Sequence, residues 1–355
     1  MTPQCLMQKS DLVKGTREKG QRRASRFAMC PGWRRRFGQY VCGGREFSVD
    51  YDAIIVGGGA AGLSAGTHLS RAGYRVLLLD KESFGGQIMN VEWIEDFPGS
   101  AVPVSGAVLG SGLVNEAEKC DVHMQLGEVV EIESYSGCKS VRCADGRGYT
   151  SSVVIVAGGL RPRKLGVPGE DRFQDKGMIH CTLCDAGLYD GQAVAVCGGG
   201  HAGVVEALYL ANHASTVHII EAQSGLSAPA PLQERAYANP GIEIRCGAEV
   251  VEIVGDRFVT GVQVQSAATG QRELLNVSGV LVRVGFDPAT EYLEGVLSLD
   301  DRGGIVANDV SETNVPGIMA AGDIRSESPR KVAAAVSEGI SAAMRAQRLL
   351  QMAAA

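Results

Sequence analysis

Two cysteines spaced as Cys181-x-x-Cys184, with Asp185 directly after them, are the residues of this chain best suited to chemistry. A CxxC places two thiols close enough to close a small disulfide ring. A nearby cation or helix N-terminus lowers a thiol's pKa and makes it a nucleophile. Asp185 can give and take the protons that thiol–disulfide exchange moves; the blander reading of an acid there is a turn or N-cap aspartate. CxxC is also half of a zinc site, which needs a second ligand pair. Cys138 and Cys143 are the candidates, spaced C-x4-C with no histidine pattern, so no metal site is expected. Cys5, Cys30, Cys42, Cys120, Cys138, Cys143, Cys197 and Cys246 share no spacing and read as small, inert residues.

The elements around that motif repeat. Residues 51–80 and 192–221 share one design: an apolar strand, a triple glycine, an Ala-rich helix of about three turns, a second apolar strand and a terminal acid. Both are βαβ units of the dinucleotide-binding kind. Gly57 and Gly198 allow the tight turn out of the strand. Gly59 and Gly200 let a pyrophosphate approach the backbone, and Gly62 and Gly203 let the helix pack on the strand. The helix N-termini, Ala60–Ala61 and His201–Ala202, offer unpaired N–H groups to phosphate. Asp80 and Glu221 end the second strands, where a carboxylate accepts from ribose hydroxyls. One such glycine pattern is weak evidence; two copies in the right strand–helix context are strong.

Composition agrees with an α/β protein. Gly is abundant at 47 residues and aromatics scarce at 5%, as many tight strand-to-helix turns require. A chain of 355 residues is long enough for about two domains. Its longest apolar stretch, Ala53–Leu69, is interrupted by glycines, so no membrane span is expected. The net charge of -6 divides into +7 over residues 1–50 (11 basic, 4 acidic) and -13 over the rest, which argues against nucleic-acid binding by the body. The basic head has three readings: an organellar presequence, a disordered tail, or sequence added by an early start codon. It has no apolar run of a secretory signal, so a cytoplasmic location is expected, with organellar import if the head is a presequence. Residues 245–285 read as a β-meander, Lys331–Leu350 as a helix and Asp185–Gly191 as a loop.

From about Tyr51 to Leu350 the chain resembles the low-molecular-weight, thioredoxin-reductase-like FAD/pyridine-nucleotide disulfide oxidoreductases. The signposts follow that family's order: Gly57-x-Gly59-x-x-Gly62, Gly85-Gly86-Gln87, Glu95-Asp96-Phe97-Pro98-Gly99, Ala157-Gly158-Gly159, Val167-Pro168-Gly169-Glu170, the CxxC-Asp, the second fingerprint, Gly285-Phe286-Asp287-Pro288 and Ala320-Ala321-Gly322-Asp323-Ile324. The resemblance implies two Rossmann-like domains of three-layer ββα form, the nicotinamide domain inserted into the FAD domain. Residues 51–165 and 285–355 would bind FAD, 166–284 would bind NAD(P) and carry the CxxC, and 1–50 would be a disordered or cleaved leader. FAD would contact Gly57, Gly59, Ala60, Ala61, Gly62, Asp80, Lys81, Gly86, Gln87, Asp96, Val129, Gly322, Asp323, Lys331 and Val332. Gly198, Gly200, His201, Ala202, Gly203 and Glu221 would hold the nicotinamide nucleotide.

The family's roles make Cys184 the thiol beside the flavin, Cys181 the interchange thiol and Asp185 the acid–base residue. Electrons would pass from NADH or NADPH through FAD to the disulfide, and on to thioredoxin or a similar small redox protein. A homodimer is implied, as are two alternating domain orientations with hinges near Gly166–Gly169 and Gly285–Pro288. Ile220-Glu221-Ala222-Gln223 replaces the family's basic run for a 2′-phosphate, and no Arg follows until Arg235, so NADH is favoured over NADPH. Gly203 with Glu221 is similar to the flavoprotein component of alkyl hydroperoxide reductase. Gly158-Gly159 and Asp96 stand where the family has Thr-Gly and Asn. The alternatives are an oxygen-dependent dithiol oxidase acting on a small dithiol, a ferredoxin-linked member, and a non-enzymatic flavin-binding protein.

Overall fold

The computed structural model describes residues 35–36, 39–42, 45–135 and 137–354. Residues 1–34 of the basic head lie outside them. Three short strands, β1 (Arg35–Arg36), β2 (Gln39–Cys42) and β3 (Arg45–Ser48), form a small antiparallel sheet. Val49 is buried, and the Asp50 carboxylate accepts from the Thr150 N–H and hydroxyl, both at 2.9 Å. The chain is therefore structured before the expected boundary at residue 50.

The first repeat folds as β4 (Tyr51–Val56), α1 (Ala60–Arg71) and β5 (Val76–Asp80). A 3-10 turn at Gly86–Asn90 leads to α2 (Gly106–Lys119), β6 (His123–Leu126), β7 (Val129–Tyr135), β8 (Cys138–Cys143), β9 (Gly148–Val156) and β10 (Leu160–Pro162). Strands β6, β5, β4 and β9 lie side by side in parallel. β9 serves two layers: its start pairs antiparallel with β8, which pairs with β7, and its end lies parallel to β4. Because strand side chains alternate, β4 sends Ala53 and Ile55 to the helices and Ile54 and Val56 to the β7–β8 side, all within two distinct cores. Burial on both faces is why these strands read as continuous apolar runs rather than alternating ones.

The second repeat builds the same sandwich. The chain runs through β11 (Met178–Ile179), α3 (Thr182–Asp185), β12 (Ala193–Cys197), α4 (His201–Leu210), β13 (Thr216–Glu221), α5 (Ala230–Ala238), β14 (Ile242–Cys246), β15 (Ala248–Gly255), β16 (Val259–Ser266), β17 (Arg272–Leu275) and β18 (Gly279–Val282). The parallel sheet has the order β11-β18-β12-β13-β14, and β15-β16-β17 is an antiparallel meander. The meander is thus shorter than expected. β18, its anticipated last strand, instead enters the parallel sheet beside β12, where its four residues are all buried; a meander strand with a solvent face would not bury them all. The expected loop 185–191 is largely helical: α3 runs into a 3-10 turn at Ala186–Tyr189, because Ala186 and Tyr189 both pack into the second core.

The chain returns through β19 (Phe286–Pro288), β20 (Ile318–Ala320) and α6 (Val332–Ala354). β20 joins the first sheet beside β9, and α6 lies against α1. The first sheet therefore draws strands from both sides of the segment that builds the second. The two crossings pair with each other as the β10–β19 ribbon, braced by Arg163 on Asp287 at 2.5 Å. Buried Glu170 caps the outward crossing by accepting from Leu165 N–H at 3.0 Å and Gly166 N–H at 2.8 Å.

Candidate functional site

The two triple glycines answer different needs within the same turn. Gly57 has φ +109°, and a Cβ on it would lie 2.2 Å from the Ala157 carbonyl oxygen; a Cβ on Gly62 would lie 1.9 Å from the Gly57 carbonyl oxygen. Gly198 (φ +117°) and Gly203 repeat this at 2.2 Å from the Arg283 carbonyl oxygen and 2.0 Å from that of Gly198. These four glycines are demanded by the protein's own backbone. The middle pair is not. Gly59 and Gly200 have φ of -81° and -79°, open to any residue, and a Cβ there would meet nothing nearer than 3.8 Å and 3.6 Å. Neither their backbone conformation nor a clash with the chain requires them to be glycine. They are also the N-caps of α1 and α4, and no side chain caps either helix. N–H groups at an uncapped helix head suit a pyrophosphate.

The acids sit where expected and also hold these turns. Asp80 accepts from Gly58 N–H at 2.7 Å and, through its other oxygen, from Glu82 N–H at 3.0 Å and Ser83 N–H at 3.2 Å. Glu221, only 9% exposed, accepts from Gly199 N–H at 2.6 Å and Gln223 N–H at 2.9 Å. Lys81 and Gln87 are exposed beside the first turn, with Lys81 paired to Glu82, and Val129 is buried at the start of β7. Gly86 (φ +69°) closes on the first turn: its Cβ would fall 2.6 Å from the Gly59 Cα.

The chain's return also packs on the first turn. A Cβ on Gly322 would lie 2.9 Å from that of Ala61, which places Asp323 at the head of α1. Lys331, next to Val332 at the start of α6, pairs with Asp96 at 2.6 Å and so ties the two separated parts of the unit. The Lys331 ammonium holds the Asp96 carboxyl below its usual range, and His201, in the second glycine turn, also acts on it. These residues fit the FAD and nicotinamide nucleotide that the resemblance implies.

Burial pushes the Asp323 carboxyl up, with the Ser328 hydroxyl acting the other way. A carboxyl raised in the folded state leaves full stability below its unfolded pKa and costs stability as pH rises through the folded value. Asp323→Asn should therefore stabilise the apoprotein at neutral pH, by about 1 kcal/mol or less after screening, or roughly 2 °C in Tm. The same change should weaken flavin binding about tenfold or more by removing a charged acceptor. Differential scanning fluorimetry and flavin titration of one sample check both signs.

Cys181 and Cys184 form a disulfide with Cα atoms 5.3 Å apart. Cys181 is half-buried and N-caps α3, its sulfur accepting from Cys184 N–H at 3.2 Å, while Cys184 is exposed. Asp185 turns back on the loop and accepts from His180 N–H and Cys181 N–H, each at 3.3 Å, as a turn aspartate does. Beside this loop opens a cleft of about 590 Å³, lined by His180, Asp185, Leu188, Tyr189 and Phe258 among others, all from the second unit. Buried Cys197 has its thiol pushed up to about 12 by burial, in keeping with an inert residue. Among the described residues no cluster of His, Cys, Asp and Glu could hold a metal ion, and no helix is long and apolar enough to cross a membrane.

Three residues at the site carry no motif. Thr182, between the cysteines, donates its hydroxyl to Glu206, and Glu206 is gripped by Arg283 at 2.6 and 2.8 Å. The one signal available was that Glu206 and Arg283 are single charges inside apolar runs, which must either reach solvent or find each other.

The family model described as pyridine nucleotide-disulphide oxidoreductase matches residues 51–339. The F component of alkyl hydroperoxide reductase from Staphylococcus epidermidis is 34% identical over 297 residues, 83% of this chain and 58% of that protein. The chain thus spans little more than half the length of these relatives. Thioredoxin reductase of Peptoclostridium acidaminophilum is 32% identical over 307 residues, covering 85% of this chain and 97% of that one. Among solved structures, Lactococcus lactis thioredoxin reductase in its FR conformation superposes with a TM-score of 0.79 at 31% identity, covering 85% and 100% of the two chains. T. acidophilum thioredoxin reductase gives 0.75 at 32%, covering 84% and 98%. With its two glycine turns and its CxxC in that family's order, the chain belongs to the pyridine nucleotide-disulphide oxidoreductases.

Proposed function

We propose that the protein is an FAD-dependent disulfide reductase that takes electrons from a nicotinamide nucleotide, NADH in preference to NADPH, and delivers them through Cys181–Cys184 to a disulfide in thioredoxin or a thioredoxin-like protein. The observation that carries this reading is the pair of turns whose middle glycines are required neither by φ nor by a clash with the chain, one of them on the unit that also bears the disulfide. The relatives named thioredoxin reductase support the choice of partner.

Gly57, Gly59 and Gly62 with Asp80, Gly86, Asp96, Asp323, Lys331 and Val332 would hold FAD, which when bound supplies a two-electron carrier between a hydride donor and a disulfide. Gly198, Gly200 and Gly203 with Glu221 would seat the nicotinamide nucleotide. Glu221 presents a buried carboxylate where a 2′-phosphate would lie, a repulsion worth about 1 kcal/mol or more even at high dielectric. The disulfide takes up two electrons and two protons to become two thiols. The Cys181 thiolate then attacks the partner's disulfide, Cys184 resolves the mixed disulfide, and the partner leaves as a dithiol. Asp185, next to Cys184 in the chain, would shuttle the protons. The β10–β19 ribbon joins the two units and must twist if the disulfide is to reach the flavin side.

Anaerobic mixing of the flavin-loaded protein with each nucleotide tests this. NADH should bleach the flavin at least about tenfold faster than NADPH. Bleaching by a dithiol and by neither nucleotide would replace the reductase with a dithiol oxidase.

A further inference from the structure

We propose that Arg283 and Glu206 are positioning residues that hold Cys181 in the geometry for disulfide closure, with Thr182 as their point of grip; this rests on the redox role given to Cys181–Cys184 above.

One ion pair grasps the loop on both sides of Cys181. Ahead of it, the Arg283 guanidinium donates from Nη2 to the His180 carbonyl oxygen at 3.3 Å. Behind it, the Thr182 hydroxyl donates to Glu206 Oε2. The pair itself is two-pronged, Nε to Oε1 at 2.6 Å and Nη2 to Oε2 at 2.8 Å, and Arg283 Nη1 donates to the Val282 carbonyl oxygen at 2.9 Å. Arg283, Glu206 and Thr182 are 9%, 19% and 2% exposed, the first two by side chain. A planar guanidinium and a carboxylate in this register, withdrawn from water, resist reorientation.

The anchor is as rigid as the grip. Glu206 lies on α4, whose head carries Gly200 and His201. Arg283 follows β18, and its N–H donates to the Cys197 carbonyl oxygen at 2.7 Å, at the end of the strand that enters the second glycine turn. Both holding residues therefore stand on the core of the second unit rather than on the loop they hold.

Opening the disulfide adds two electrons and two protons and yields two thiols; closing it releases the same. A loop fixed at residues 180 and 182 keeps Cys181 within reach of Cys184, so the dithiol closes at a high effective concentration. Without the grip Cys181 samples other positions in the reduced state, and the equilibrium moves toward dithiol. A purely structural ion pair would change melting temperature and leave that equilibrium alone.

The test equilibrates the flavin-loaded protein in mixtures of reduced and oxidised dithiothreitol, traps thiols by alkylation and reads Cys181–Cys184 by mass. Thr182→Val, which keeps the volume and loses only the hydroxyl, and Glu206→Gln should each shift the equilibrium toward dithiol about tenfold, which is about 30 mV for this two-electron couple. Thr182→Ser should restore the parent value within about twofold, since it returns the donor. If Thr182→Val titrates with the parent, the positioning role is wrong while the reductase stands. If the parent pair does not cycle at all, both readings fall. Should Glu206→Gln fail to fold, Thr182→Val decides alone, because it leaves the ion pair whole.

Discussion

Cys181→Ser should give a protein that binds flavin, is bleached by NADH and reduces no protein disulfide, with turnover down at least about a thousandfold. Cys184→Ser should lose turnover equally. The two differ in colour. On the proposed roles, with Cys181 gone Cys184 would be the thiol nearest the flavin, and a long-wavelength absorbance band should appear in the oxidised protein at alkaline pH. With Cys184 gone, the band should be absent. The reverse pattern would exchange the two assignments. The structure adds a condition. Cys184 is exposed, and the cleft beside its loop is lined by the second unit alone. On the proposed domain motion, the band would report the molecules whose second unit has brought Cys184 to the flavin. Its intensity should fall when a nucleotide occupies the Gly198–Gly203 turn and favours the present orientation.

Gly59→Val and Gly200→Val should separate the two cofactor seats without harming the fold. Both backbones sit at ordinary φ, and a Cβ at either makes only ordinary contacts, at 3.8 Å and 3.6 Å, so the apoproteins should melt within about 2 °C of the parent. On the proposed reading, the added methyls would fall where phosphate oxygens reach the helix N–H groups. Gly59→Val should purify colourless, with flavin affinity down at least about a hundredfold. Gly200→Val should stay yellow, resist bleaching by NADH, and still respond to a dithiol. Gly57→Ala and Gly62→Ala make the contrast: each drives a Cβ into a carbonyl oxygen near 2 Å, and both should unfold at markedly lower temperature. Flavin retained by Gly59→Val would move the first seat elsewhere.

The sequence by itself determined whatever is local. Gly57, Gly59, Gly62 and their copies at 198, 200 and 203, the acids about 20 residues on, and the CxxC-Asp are short-range patterns. Their meaning is set by turn geometry and by neighbours a few bonds away, so they were legible without the fold. The three-layer build followed, since strands apolar on both faces need a layer on each side.

The tertiary structure decided what depends on distant partners. VSGVLVRVG carries the same apolar pattern as a meander strand, and only its fit between β11 and β12 sends it into the parallel sheet. Asp185 offers one carboxylate to protons or to backbone, and the turn of the loop gives it His180 N–H and Cys181 N–H. Glu206 and Arg283 lie 77 residues apart, and Lys331 and Asp96 lie 235 apart. A charge in a chain has no sign of its partner until burial forces one upon it. The hold on the disulfide loop exists only once α4 and the end of β18 are brought side by side.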